Sequence, residues 1–205
     1  MRVIGVVGPA GSGKSTVCRI LAQRPGIVHV DCDRLAWETY RPGGPAYPRL
    51  LARFGNQILA EDGSVDRGKL AALVFTDPGA KEELEEIVHP LVMGALERIL
   101  SRERAKGAKM VLVEGALLLS SPHVNRAVFD LFIWLSVPEE ERQRRLLASG
   151  LARETVAQRF SAQAGLAPPE IPNLINVDGK GDPEEVAKRV LSAIEGYFRE
   201  APTSS

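Results

Sequence analysis

The chain has 205 residues, 44% of them apolar and 25% charged, with 26 basic side chains balanced by 26 acidic ones. That apolar share is enough to fill the core of one ordinary domain with room for an inserted subdomain. The zero net charge excludes a disordered polyelectrolyte and leaves no basic excess for nucleic acid, so no nucleic-acid partner is expected. In chain order, Val3 to Val7 is a short apolar, β-branched run ended by Gly8-Pro9, which predicts a buried strand. The segment before Gly8 is too short for the apolar region of a signal peptide. No run of 18 apolar residues occurs, so no membrane span is expected.

Lys14 to Gln23 has helical spacing, with Val17, Ile20 and Leu21 on one face, and Arg24-Pro25-Gly26 ends it. Ile27 to Val30 reads as a second strand. From Trp37 to Gly107 no strand is predicted. Helices are expected there at Tyr47–Phe54, Arg67–Phe75 and Lys81–Lys106, separated by Gly43-Gly44-Pro45 and Asp62-Gly63-Ser64. His89-Pro90 is expected to kink or interrupt the longest of them. Trp37, Phe54 and Phe75 are expected in the core rather than on a ligand. Met110–Val113 and Leu131–Val137 read as two more strands, and Ile171–Val177 as a fifth weakened by Pro172. Glu139 to Gln163 is charged and helical, with a break near Gly150. A last helix is expected from Pro183 to Phe198, and Ala201–Ser205 is expected to fray. Strands alternating with helices predict an α/β fold, a parallel sheet covered on both faces.

Gly8-Pro9-Ala10-Gly11-Ser12-Gly13-Lys14-Ser15 fits the pattern G-x-x-x-x-G-K-[ST] completely, between a strand and a helix. Glycines let the backbone curl so that successive N–H groups face an anion, and the helix N-terminus adds partial positive charge. Lys14 is expected to reach the β- and γ-phosphates, Ser15 to ligate Mg²⁺, and Thr16 to approach the α-phosphate. The length argues against a motor, and no N/T-K-x-D base-reading sequence marks a GTPase, so a small-molecule kinase is the leading class. Asp31-Cys32-Asp33 follows the second strand, whose carboxyl end should face the ligand crevice. Such a carboxylate can take the acceptor's proton or hold Mg²⁺ through water. Either aspartate could instead cap the helix through Leu35 and Trp37. The only cysteines, Cys18 and Cys32, form neither a disulfide framework nor a zinc spacing, which suits the reducing cytoplasm. His29, His89 and His123 are far apart in sequence, and none is expected to pair with a cysteine as a ligand.

Together these residues resemble the dephospho-CoA kinase family. The loop Gly8–Thr16 and Asp31-x-Asp33 match, as does Pro42-Gly43. So do Phe54-Gly55, Asp62-Gly63-Ser64-Val65-Asp66-Arg67, Leu70, Val74-Phe75 and Leu84-Glu85-x-Ile87-Val88-His89-Pro90. Gln163 and Ile175-Asn176 also fit, so the resemblance spans about residues 1 to 200. It implies transfer of the ATP γ-phosphate to the ribose 3′-hydroxyl of dephospho-CoA. It also implies a three-layer P-loop kinase core with a parallel five-stranded sheet, formed by residues 1–37, 108–138 and 166–200. A helical acceptor-binding insertion would span 38–107 and a helical lid 139–165. The same resemblance makes Asp33 the general base and gives Asp31 a supporting role toward Mg²⁺ or the loop. Arg67 and His89 would line the acceptor side, and Asn176 would lie near the adenine of ATP.

The sequence departs from the family in three places. Where the family has P-L-L-[FLV]-E after its third strand, the segment is here Val113-Glu114-Gly115-Ala116-Leu117-Leu118-Leu119-Ser120, without the proline and with Ser120 at the later glutamate. Glu114-Gly115 closes the strand instead, as in uridine-kinase-like proteins, and Glu114 is a candidate for a magnesium-bound water. A nucleoside acceptor is the alternative this segment leaves open. The lid lacks the arginine expected near Ala148-Ser149-Gly150-Leu151-Ala152. Arg142, Arg144, Arg145, Arg153 and Arg159 are the possible substitutes, with Arg145 the first candidate and Arg142 the second. A nucleotide-binding protein with weak catalysis is the alternative if none acts. Glu170-Ile171-Pro172-Asn173 replaces the family's alanine-aspartate before the last strand.

Overall fold

A computed structural model of the chain describes residues 1–115, 118–119 and 121–200, and the backbone alone at Phe75. The alignment of Ser120, the frayed tail and the Phe75 side chain lie outside the described residues. The chain divides into two compact units, one of residues 1–31, 103–121 and 125–205, the other of residues 32–102 and 122–124.

The first unit is built on a five-stranded sheet in the order β2-β3-β1-β4-β5. Its strands are β1 (Arg2–Val7), β2 (Ile27–Asp31), β3 (Met110–Glu114), β4 (Leu131–Ser136) and β5 (Leu174–Asp178). All four pairings are parallel. The apolar runs become strands because β1 and β3 are buried almost throughout and offer no polar face to water. Helix α1 (Lys14–Leu21) and helix α8 (Pro183–Glu200) pack against each other and share a core with Ile4, Leu112, Leu131 and Ile133. Pro183 opens α8, the Asp182 side chain accepts from the Glu184 N–H, and Val186, Val190 and Ile194 form its buried stripe. Helices α6 (Glu139–Ala148) and α7 (Arg153–Ala162) follow β4, separated by Gly150. The fifth strand begins three residues later than its apolar run, at Leu174. Pro172 has no N–H for the ladder, and pairing with β4 starts at Phe132 opposite Leu174.

The second unit holds α2 (Cys32–Tyr40), α3 (Tyr47–Phe54), α4 (Arg67–Thr76) and most of α5 (Pro78–Ala105). Its core includes Leu50, Phe54, Ile58, Leu70 and Val88. Asp66 caps α4 by accepting from the Gly68 and Lys69 N–H groups. Pro90 does not interrupt α5, which continues as one helix from Pro78 to Ala105. A proline there costs about 3 kcal/mol through the missing bond to residue 86. Val88, Val92, Met93 and Leu96, buried on either side of it, offset that cost by holding both halves on the core. Trp37 is likewise not core: it is 48% exposed. Among the described residues no helix is long and apolar enough to cross a membrane.

Candidate active site

The glycine-rich loop joins β1 to α1 at the centre of the sheet, at the carboxyl ends of the strands. Its curl needs glycine. Gly8, Gly11 and Gly13 have φ of 136°, 80° and 93°. A Cβ on Gly8 would lie 2.7 Å from the Leu135 carbonyl oxygen, and one on Gly11 2.7 Å from that of Arg142. Gly11→Ala is therefore expected to destabilise the fold by at least ~1 kcal/mol from the left-handed backbone alone. It should also weaken nucleotide binding, and thermal melts with and without nucleotide check both effects. An unchanged melt with an unchanged nucleotide shift would mean that this close approach is not needed.

Lys14 curls back over the loop, its Nζ donating to the carbonyls of Gly8 at 2.8 Å and Pro9 at 3.1 Å. Ser12 is 1% exposed, and its Oγ is the only buried side-chain polar atom without a hydrogen-bond partner among the described residues. A buried hydroxyl left unpaired in a cradle of amides suits a phosphate oxygen. Gln163, just past the end of α7, accepts from the Ala10 N–H at 2.7 Å, so the second helix of the 139–165 segment is tied to the loop.

At the other side of the loop stands Glu114, 3% exposed at the end of β3. Its Oε2 accepts from the Ser15 hydroxyl at 2.7 Å, and its Oε1 lies 2.8 Å from His29 Nε2. Asp31 is its register partner on β2, so carboxylates end two adjacent strands, one of them bonded to Ser15. Such hydroxyl and carboxylate oxygens are the hard donors that magnesium prefers. Cys18 completes the neighbourhood: ligand atoms of Cys18, His29 and Glu114 all lie within 4.8 Å of one another. His29 and Cys18, separated in sequence, are thus neighbours in space. Burial pushes the Cys18 thiol well above its ordinary range, the Glu114 charge pushes the same way, and Lys14 opposes them. No sequence spacing marks the pairing of His29 with Glu114, because β2 and β3 meet only through sheet register. The one available signal was an acidic residue ending an otherwise apolar strand.

The arginines of α6 separate by face. Arg145 donates from Nη2 to Glu141 at 2.5 Å and to the Gly179 carbonyl at 3.0 Å, while its Nη1 lies 3.4 Å from the Ser12 carbonyl. Arg142 reaches the Ala10 carbonyl at 3.3 Å and lies over the Phe160 ring. Arg144 points elsewhere, with 77% of its side chain exposed, and Arg153 and Arg159 are exposed on α7. Leu146 is the buried residue of α6, which turns Arg142 and Arg145 toward the loop. Asn176 lies within β5 rather than at its end, and its Oδ1 accepts from the Ser136 hydroxyl at 2.6 Å.

In the second unit Asp33 is an exposed carboxylate in the first turn of α2, two residues beyond the end of β2. Arg67, at the start of α4, hydrogen-bonds the buried Tyr40 hydroxyl. Burial raises the Tyr40 pKa, Arg67 opposes that shift, and the Asp33 charge adds to it. Asp33, Tyr40 and Arg67 therefore form one electrostatic neighbourhood. His89 lies on α5 with its ring edge-on to His123 at 5.8 Å, so these histidines too are brought together. Burial lowers the His89 pKa, and Glu85 opposes that shift.

The family model described as dephospho-CoA kinase matches residues 2–168. A dephospho-CoA kinase of Geobacter sulfurreducens is 36% identical over 191 residues, covering 93% of this chain and 95% of its own. One of Ralstonia nicotianae is 42% identical over 172 residues, covering 80% of this chain and 82% of its own. The crystal structure of a Thermus thermophilus protein superimposes with a TM-score of 0.75 at 32% identity, covering 96% of this chain and 97% of its own.

Proposed function

Because the chain belongs to the dephospho-CoA kinase family, we propose that Asp33 is the base that readies the ribose 3′-hydroxyl of dephospho-CoA for phosphorylation by ATP. The enzyme is a P-loop kinase that phosphorylates dephospho-CoA, a step of coenzyme A biosynthesis. The observation that carries the reading of the site is the loop itself. It carries the positive-φ glycines, Lys14, the buried unpartnered Ser12 hydroxyl and the Ser15–Glu114 bond at one helix N-terminus, which suits an anion.

In the proposed reaction a bond forms between the 3′-oxygen and the γ-phosphorus as the bond from that phosphorus to the β–γ bridging oxygen breaks. ADP leaves with the electron pair, and the hydroxyl proton passes to the Asp33 carboxylate and then to water. Loop amides from Gly8 to Thr16 hold the phosphates, and Lys14 sets a point charge between the β- and γ-groups. Ser15 would bind Mg²⁺ directly, with Glu114 or Asp31 acting through water. The ion, when bound, shields the phosphate charge. His29 and Ser15 hold the Glu114 carboxylate by both oxygens, so its orientation is set before nucleotide arrives. Arg67 and His89 are assigned to the acceptor side and Asn176 to the adenine of ATP. Helices α6 and α7 are assigned as the lid, and two cysteines that are not joined in a disulfide suit a cytoplasmic enzyme.

The test is ATP turnover with dephospho-CoA, with a nucleoside, and with neither. Stimulation by dephospho-CoA alone supports the reading, and stimulation by the nucleoside alone replaces it. Arg145 supplies a second check. Its guanidinium is already anchored beside Ser12, where a phosphoryl group in flight needs positive charge. Arg145→Ala is expected to cut kcat at least about tenfold. Arg144→Ala, which removes an exposed side chain, should leave kcat unchanged. Equal effects of the two substitutions would remove Arg145 from the mechanism.

A further inference from the structure

The second unit displays an aromatic ring that its own packing leaves uncovered. Trp37 and Leu166 are the only large exposed hydrophobic side chains among the described residues. Tyr40, three residues further along α2, is by contrast buried. An indole holds more apolar area than most side chains, and leaving half of it in water forgoes stabilisation that burial would give.

Two further observations give the ring a purpose. The Arg67 guanidinium lies over it, 5.7 Å from the centroid, and is anchored by its hydrogen bond to Tyr40. A cation fixed over one side leaves the opposite side as the flat surface offered to a ligand. Trp37 is also four residues after Asp33 on the same helix. Residues at that spacing share a face, about one turn or 5.4 Å apart along the axis. An exposed carboxylate and an exposed indole thus stand side by side on α2.

We propose that Trp37 is the stacking platform for the adenine of dephospho-CoA, and that stacking there turns the attached ribose so that its 3′-hydroxyl faces Asp33. The inference rests on the reading of dephospho-CoA as acceptor and Asp33 as base. Purine and ribose are directly bonded, so a base lying on Trp37 carries its sugar to a neighbouring group on the same face. Aromatic stacking tolerates any base but needs a π-face, which separates a platform from a merely apolar contact.

The experiment pairs steady-state kinetics with indole fluorescence. Trp37→Ala and Trp37→Leu should each raise KM for dephospho-CoA about tenfold or more while leaving KM for ATP unchanged. Trp37→Phe should keep most of the affinity. The sequence has two tryptophans, and Trp134 is buried in β4. Quenching of wild-type fluorescence by dephospho-CoA should therefore vanish in Trp37→Phe and persist in Asp33→Asn. An unchanged KM in Trp37→Ala, equal affinity of Trp37→Leu and Trp37→Phe, or quenching that survives in Trp37→Phe overturns the platform. Turnover separates the two readings. If the wild-type enzyme phosphorylates dephospho-CoA while Trp37→Ala behaves normally, only the platform fails. If dephospho-CoA neither reacts with the wild-type enzyme nor quenches it, the acceptor reading fails with it.

Discussion

Lys14→Ala is expected to reduce kcat on the order of 10³-fold while the protein still folds. The ammonium group is held on the loop by the Gly8 and Pro9 carbonyls, and the proposed reading places it on the β- and γ-phosphates when ATP binds. Losing it removes no core side chain, because the buried face of α1 is made by Val17, Cys18 and Leu21. The two vacated carbonyls belong to Gly8 and Pro9, which are both buried, so leaving them unpaired should cost about 1–3 kcal/mol, a loss of stability rather than of the fold. Steady-state kinetics and a thermal melt on the same preparation check the two halves. A Lys14→Ala protein that melts normally and turns over near the parental rate would remove the loop from the mechanism. Lys14→Arg should also fall well below the parent, because a planar fork cannot replace a compact charge between two phosphates.

The loop was legible because its chemistry is local. Gly8 to Ser15 carries its own geometry, and a strand and a helix flank it in sequence as in space. Helix α3 was equally local, since Pro45 and Gly55 punctuate its two ends. What could not be read was what the sheet assembles. His29 and Glu114 are 85 residues apart and meet only because β2 pairs with β3 in one register. Arg142 and Arg145 were candidates among five, and their turn toward the loop follows from burial of Leu146. At Pro90 and at Trp37 local preference was overridden, and the core placement of Trp37 was misread. Packing on both sides of Pro90 keeps α5 continuous, and Trp37 sits on the exposed face of α2, where its neighbour is Arg67 rather than the core. Apolar character alone does not say whether a ring is buried or displayed.

Asp33→Asn is the sharper test of the chemistry, because it keeps shape and reach while removing the basic oxygen. Loss of a general base costs ~10²–10⁴-fold, and kcat is expected to fall within that range with ATP affinity nearly unchanged. The neighbouring carboxylate provides the contrast. Asp31 ends β2 in register with Glu114, which bonds the Ser15 hydroxyl, so on the proposed reading Asp31→Asn should act through the magnesium site. Its expected signature is a raised magnesium requirement with kcat largely recovered at saturating Mg²⁺. Asp33→Asn should not recover at any magnesium concentration. The two aspartates are separated by Cys32 alone, yet one belongs to a strand end and the other to the first turn of a helix. On the proposed reading, that change of element lets carboxylates so close in sequence take different partners. If Asp31→Asn proves the more damaging and magnesium does not restore it, the base is Asp31, and the role of Asp33 reduces to tuning Tyr40 and Arg67 on the acceptor side.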